Sequence, residues 1–159
     1  MNMECAMTDD ELMLAAMEQA RKAEAIDDVP IGAVIAKDGQ IVAAAHNRRI
    51  IDADPTAHAE MLAIRQAAAA LGDWRLTGCT LAVTLEPCCM CAGAIVLARI
   101  PRVVYGASDP KAGAAGTLYH ICNDPRLNHQ AEVVAGVRAA ECGAMLTSFF
   151  ARQRAMGKK

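Results

Sequence analysis

The segment Cys79-Thr80-Leu81-Ala82-Val83-Thr84-Leu85-Glu86-Pro87-Cys88-Cys89-Met90-Cys91 decides the fold. Its first seven residues, Cys79 to Leu85, are mostly apolar and read as a buried strand. Pro87 then opens a helix that runs to about Ala98, because proline is tolerated in a first helical turn. A buried strand passing directly into a helix is the core of an α/β unit. In open sheets of this kind, ligands sit in the crevice at the strand's carboxyl end.

Working outward, the flanking segments repeat the alternation. Arg102 to Tyr105 reads as a strand, Gly106 to Gly116 as a Gly-rich loop, Glu132 to Ala135 as a last strand, and Arg138 to Arg154 as a terminal helix. Upstream, Ala57 to Leu71 is rich in helix formers, with Met61, Ile64 and Ala68 on one side. Before it lies a polar stretch, His46 to Thr56. Ile31 to Ala36 and Ile41 to Ala45 flank the turn Lys37-Asp38-Gly39-Gln40. Asp-Gly between two apolar runs signals a hairpin. Thr8 to Glu11 fits a capping box, with Leu12, Ala16, Ala20 and Ala23 behind it at helical spacing. The expected architecture is a three-layer α/β/α sandwich, its sheet made mixed by the initial hairpin.

Bulk properties agree with this. A chain of 159 residues, 54% of them hydrophobic, suits one packed domain spanning 1–159. No apolar run reaches the length of a membrane span. The start, Met1-Asn2-Met3-Glu4-Cys5, lacks the pattern of a signal peptide, so a cytoplasmic location is expected. The net charge of −2 is not that of a general nucleic-acid binder. The basic end, Arg152, Arg154, Lys158 and Lys159, is read on charge alone as a solvated helix terminus. The seven cysteines are an odd number and cluster at Cys88, Cys89 and Cys91. In a chain expected to be cytoplasmic, that favours a metal or catalysis over disulfides. Cys5, Cys79, Cys122 and Cys142 are read as packing residues.

Two segments carry chemistry: His58-Ala59-Glu60 and Pro87-Cys88-Cys89-Met90-Cys91. Zinc takes imidazole nitrogen and thiolate sulfur. Cys88 and Cys91, three apart at a helix start, point to one side. The helix terminus favours thiolate over thiol. His58 is the third ligand of one zinc ion per chain. Structural zinc sites usually close with four ligands, whereas catalytic ones keep a position for water. Cys89 could be a fourth ligand, but adjacent helical residues diverge, and a packing role suits it better. Glu60 lies near enough to take the proton of a metal-activated water. A structural zinc knuckle is the plain alternative.

The combination of H-x-E with P-C-x-x-C resembles the signature of the zinc-dependent nucleobase deaminases. With Asp54-Pro55-Thr56-Ala57-His58-Ala59-Glu60-Met61 and Thr84 to Ala94, the chain resembles the bacterial tRNA-specific adenosine deaminases, within the cytidine/deoxycytidylate deaminase superfamily. The resemblance extends through Arg102 to Ala107, Asp109 to Gly116, Leu127-Asn128-His129 and Ser148-Phe149-Phe150. Tyr119 to Asp124 and Cys89 depart from the family's pattern.

The resemblance implies a cytidine deaminase-like fold with a five-stranded mixed sheet, a homodimer, and conversion of adenosine to inosine at the wobble position of a tRNA anticodon stem-loop. It implies zinc on His58, Cys88 and Cys91, and proton shuttling by Glu60. Asn47 and the backbone of Ala59 would read the purine edge; Asp109, Asn128 and Phe150 would contact substrate. Plainer readings stand beside these. Asn47 and Asp109 are ordinary turn residues, Asn128-His129 could tie down a loop, and one of the two phenylalanines suits the core. Two other functions compete: deamination of a free base or nucleoside, and non-catalytic RNA binding by a zinc-stabilised protein.

Overall fold

The structure, a computed structural model, describes residues 6–158. Cys5 and Lys159, singled out above, lie outside the described residues, as does the Met1 to Cys5 start.

Helix α1, Asp9–Ala25, begins where the capping box places it: the Thr8 hydroxyl oxygen accepts from the Glu11 amide at 3.1 Å. Strands β1, Gly32–Lys37, and β2, Gln40–His46, form the expected hairpin. Its tight turn needs positive φ at both central residues, and Asp38 (51°) and Gly39 (75°) supply it. Helix α2, Ala59–Leu71, precedes β3, Cys79–Leu85, and α3, Cys89–Leu97. Strand β4, Arg102–Ala107, β5, Glu132–Val134, and α4, Ala139–Ala155, complete the chain.

The sheet runs β2-β1-β3-β4-β5. β1 is antiparallel to both its neighbours, and β3, β4 and β5 are parallel, so the sheet is mixed as expected. Alternate strand residues feed two cores. Val34, Ala36, Ala82 and Val104 pack with Leu12, Met13 and Met17 of α1 and Cys142 of α4. Ile35, Leu81, Val83 and Val103 pack with Ala63 and Ala67 of α2 and Ala92 and Ile95 of α3. Two helices thus cover each face.

Several boundaries differ from the sequence reading, each for a local reason. α3 starts at Cys89, not Pro87: Cys88 is extended (φ −76°, ψ 178°), and the Pro87 carbonyl accepts from the Ala114 amide at 2.8 Å. α2 starts at Ala59 rather than Ala57, and α4 at Ala139 rather than Arg138, whose φ of 54° is left-handed. β4 continues through Gly106, read above as loop. A Cβ at Gly106 would meet Cys142 Sγ at 2.6 Å and the Thr84 carbonyl at 2.7 Å, so α4 packs onto bare backbone there. The inward face of α2 is Ala59, Glu60, Ala63 and Ala67. Met61, Ile64 and Ala68, read above as sharing one side, are half-buried. Small side chains bring the helix close to the sheet and push the large ones to its flanks.

Candidate metal centre and pocket

Both metal segments sit at helix N-termini. His58 is the N-cap of α2 and Cys88 the N-cap of α3, and both have extended backbones. N-cap side chains commonly accept a hydrogen bond from their own helix. Neither of these does, which leaves ring and thiol free to face each other. Cys91, one turn into α3, is buried beneath them.

The Nδ1 atom of His58 lies 3.6 Å from the Sγ of Cys88 and 3.6 Å from the Sγ of Cys91. The three donor atoms lie within 4.8 Å of one another. Zinc bonds of roughly 2.0–2.1 Å to nitrogen and about 2.3 Å to sulfur, at tetrahedral angles, separate nitrogen from sulfur by about 3.6 Å. The observed spacing therefore fits a single tetrahedral zinc. Cys88 is held as thiolate, its pKa lowered to about 3 by hydrogen bonds from Cys91 and His58. The same contact with Cys88, with burial, raises Cys91. His58 is raised, chiefly by its hydrogen bond with Cys88. Cys89 is exposed and stands outside the group, so it does not take the packing role expected of it: as the first residue of α3, it is left at the surface.

Glu60, in the first turn of α2, is buried. Burial pushes its carboxyl up to about 7. Together with His58 and Cys88 it lines a cavity of about 640 Å³, within the size range of small-molecule sites.

The cavity also gathers Asn47, Asp109 and Phe150. Ala59 opens α2 between the cavity-lining His58 and Glu60; the residue itself is fully buried and is not among those that line the cavity. Asn128 is not brought to the cavity; it is exposed in the β4–β5 connection. Its neighbour His129 places Nε2 2.6 Å from the Ile100 carbonyl and ties that connection to the entry of β4. Phe149 is buried and Phe150 half-exposed, with their rings in an edge contact. Of the basic end, Arg152 pairs with Glu24 of α1.

Two acids missed in the sequence hold this cavity in shape. Glu86, buried between β3 and α3, accepts hydrogen bonds from the amides of Asp109 (3.1 Å), Ala115 (3.1 Å) and Thr117 (3.0 Å) and from the Thr117 hydroxyl. Burial raises its pKa, but these donors outweigh burial and the net shift is downward. Asp28 is fully buried and accepts from the amides of Val29 (2.9 Å), Ile50 (2.8 Å) and Ile51 (3.2 Å) and from Asn47 Nδ2 (3.2 Å). The signal for Glu86 was an acid closing an apolar strand. Asp28 sits in an acidic stretch and carries no distinguishing pattern. Arg49 and Lys111 also line the cavity and escaped notice.

Comparison with known proteins agrees with this geometry. The sequence model of the cytidine and deoxycytidylate deaminase zinc-binding region matches residues 6–107. A tRNA-specific adenosine deaminase of Bacillus subtilis (strain 168) is 56% identical over 149 residues, 93% of this chain and 92% of that protein. One from Haemophilus influenzae is 48% identical, over 92% of this chain and 85% of its own. A solved structure from a study of A-to-I editing by tRNA:A34 deaminases at the wobble position of transfer RNA superimposes with a TM-score of 0.81. It is 46% identical and covers 85% of this chain and 98% of its own. The guanine deaminase of Bacillus subtilis is also similar: 42% identical, TM-score 0.64, with 70% and 71% covered. The chain therefore belongs to the cytidine and deoxycytidylate deaminase zinc-binding family, and within it to the family of the tRNA-specific adenosine deaminases.

Proposed function

We propose that the whole chain acts as one deaminase domain that hydrolyses adenosine to inosine and ammonia at the wobble position of a tRNA anticodon. The observation that carries this reading is the approach of His58 Nδ1 to Cys88 and Cys91 at 3.6 Å, beside buried Glu60 at the cavity. His58, Cys88 and Cys91 would hold one zinc ion per chain. When bound, zinc supplies the Lewis acidity that makes water a nucleophile near neutral pH.

Glu60 does the proton work. Its carboxylate takes a proton from the attacking water and delivers it to N1 of the adenine as C6 is attacked. It then takes the second proton of the former water, from the hydroxyl now on C6, and passes it to the amine, which leaves as ammonia while C6 becomes the carbonyl of inosine. One carboxylate can act as base and acid in turn because the proton it gains is the one the ring needs. Asn47 and the Ala59 backbone meet the base edge, and Asp109 and Phe150 contact the flanking nucleotides. Aromatic stacking of Phe150 on an unpaired base suits recognition of a single-stranded loop, and a base must leave its stack to enter such a cavity. Asn128, exposed away from the cavity, would reach RNA only beyond the target base. The reading includes a cytoplasmic homodimer. No described helix is long and apolar enough to cross a membrane.

The likeness to guanine deaminase makes a free-base substrate the second reading. Zinc-loaded protein offered an anticodon stem-loop, free adenosine, cytidine and guanine separates the two. Inosine at the wobble position alone is expected. Deamination of a free base only would overturn the RNA substrate, and RNA binding without ammonia release would overturn the enzyme reading altogether.

A further inference from the structure

Asn47 is buried yet lines the cavity, and it follows β2 directly. Its side-chain amide has two chemically opposite ends, and what holds it decides which end a substrate meets. Asp28 supplies that hold from behind. Both of its oxygens are already acceptors for backbone N–H groups that cannot turn over: Val29 on Oδ1, Ile50 and Ile51 on Oδ2. A group so surrounded by donors takes the amide nitrogen of Asn47, at 3.2 Å on Oδ1. The Asn47 oxygen is thereby turned the other way. Among the described residues it makes no hydrogen bond, yet no buried side-chain polar atom of those residues lacks a partner. The oxygen is therefore open, and the open side of Asn47 is the cavity.

We propose that Asp28 is a positioning residue that fixes the Asn47 amide, so that the cavity presents a hydrogen-bond acceptor to a donor group of the bound nucleoside, an exocyclic amine or a ribose hydroxyl. This rests on the reading of Asn47 as a substrate contact.

The substitution Asp28→Asn makes the proposal specific. If the introduced amide turned its nitrogen toward Ile50 and Ile51, two fixed backbone donors would face a donor. If it turns the nitrogen toward Asn47, only the Val29 amide is left facing a donor, because Asn47 can turn over and offer its oxygen. The second arrangement costs less, and it presents N–H groups to the cavity in place of oxygen. The exchange Asp28→Asn with Asn47→Asp restores the pattern at unchanged net charge: the amide at 28 donates to the carboxylate at 47, whose other oxygen faces the cavity.

The test measures kcat and KM on an adenosine stem-loop, with zinc content and melting temperature, for the wild type, Asp28→Asn, Asn47→Ala and the exchange. Asp28→Asn is expected to lower kcat/KM about 10- to 100-fold, the range for a buried polar group left facing the wrong partner. The exchange is expected to recover most of that loss, which a purely structural role for Asp28 would not produce. Wild-type kcat/KM in Asn47→Ala would remove the substrate contact and the proposal with it. Loss in Asn47→Ala without loss in Asp28→Asn would overturn the positioning role alone, as would an exchange no better than Asp28→Asn. Should the variants fail to fold, NMR of the wild type decides. Scalar coupling across the hydrogen bond from the Asn47 side-chain nitrogen to the Asp28 carboxyl carbon is expected, and its absence would overturn the proposal.

Discussion

Gly113 lies so close to Glu86 that a Cβ on it would meet the Glu86 carboxyl carbon and both oxygens at 2.5 Å. The absence of a side chain at 113 lets the loop wrap the buried carboxylate and direct the Asp109, Ala115 and Thr117 amides onto it. Gly113→Ala would push the loop off its anchor. Overpacking of this kind costs about 1–3 kcal/mol, and the displaced Asp109 would lower kcat/KM on RNA as well. Urea unfolding and stem-loop kinetics measure the two effects; an unchanged variant would mean that the loop tolerates displacement.

The metal ligands and their neighbour make a sharp contrast. His58→Ala removes the Nδ1 that both sulfurs face, and should leave the purified protein with well under one zinc per chain. Cys89→Ser alters an exposed side chain outside the cluster and should keep its zinc. Elemental analysis of both variants checks the pair. Full zinc in the first, or loss in the second, would redraw the ligand set.

Phe149 and Phe150 are adjacent but do different work. Phe149 is 3% exposed, and Phe149→Ala should cost about 3–5 kcal/mol of stability. Phe150 is 43% exposed and lines the cavity. Phe150→Ala should unfold nearly as the wild type does but raise KM for the stem-loop, since stacking on an unpaired base contributes about 1–3 kcal/mol. Denaturation curves beside KM values would show whether the two effects separate in this way.

Arg102 holds Asp9 by two hydrogen bonds, of 2.5 and 2.8 Å, joining α1 to β4. Those bonds keep the Asp9 carboxyl below its usual 3.8, against an opposing push from burial. A lowered carboxyl pKa stabilises the fold above its unfolded value, and the benefit is lost as pH falls through the folded value. Asp9→Asn should therefore cost about 0.5–1 kcal/mol at pH 7, with the gap to the wild type closing in strong acid. Melting temperatures across that range measure it; a gap independent of pH would assign the effect to something other than the carboxylate charge.

What the sequence made legible follows from how local each signal is. The hairpin turn at Asp38-Gly39, the capping box at Thr8 and the spacing of Cys88 and Cys91 are all fixed by residues within one turn of each other. The order of elements and the mixed sheet followed from them. On α2 the sequence reading placed Met61, Ile64 and Ala68 on one side and did not single out Ala63 and Ala67, because hydrophobicity ranks methionine and isoleucine above alanine, whereas close approach to the sheet selects small residues. Asp28 and Glu86 escaped notice because, the Val29 amide beside Asp28 apart, their donors lie 19 or more residues away, at Asn47, Ile50 and Ile51 and at Asp109 to Thr117. Asn47 and Asp109 came from family resemblance. Only the fold shows them lining one cavity with Glu60, and Asn128 outside it.

The most direct test compares zinc-loaded wild type with Glu60→Gln, reading ammonia release and inosine formation on the same stem-loop alongside zinc content. Glutamine keeps the shape of Glu60 but cannot take a proton from water. Unchanged zinc with a rate at least about 10²-fold lower, the range for a positioned general acid–base, is the predicted result. Near-normal turnover by a zinc-replete Glu60→Gln would contradict the assignment of Glu60 as the proton carrier, and with it the chemistry proposed for this site.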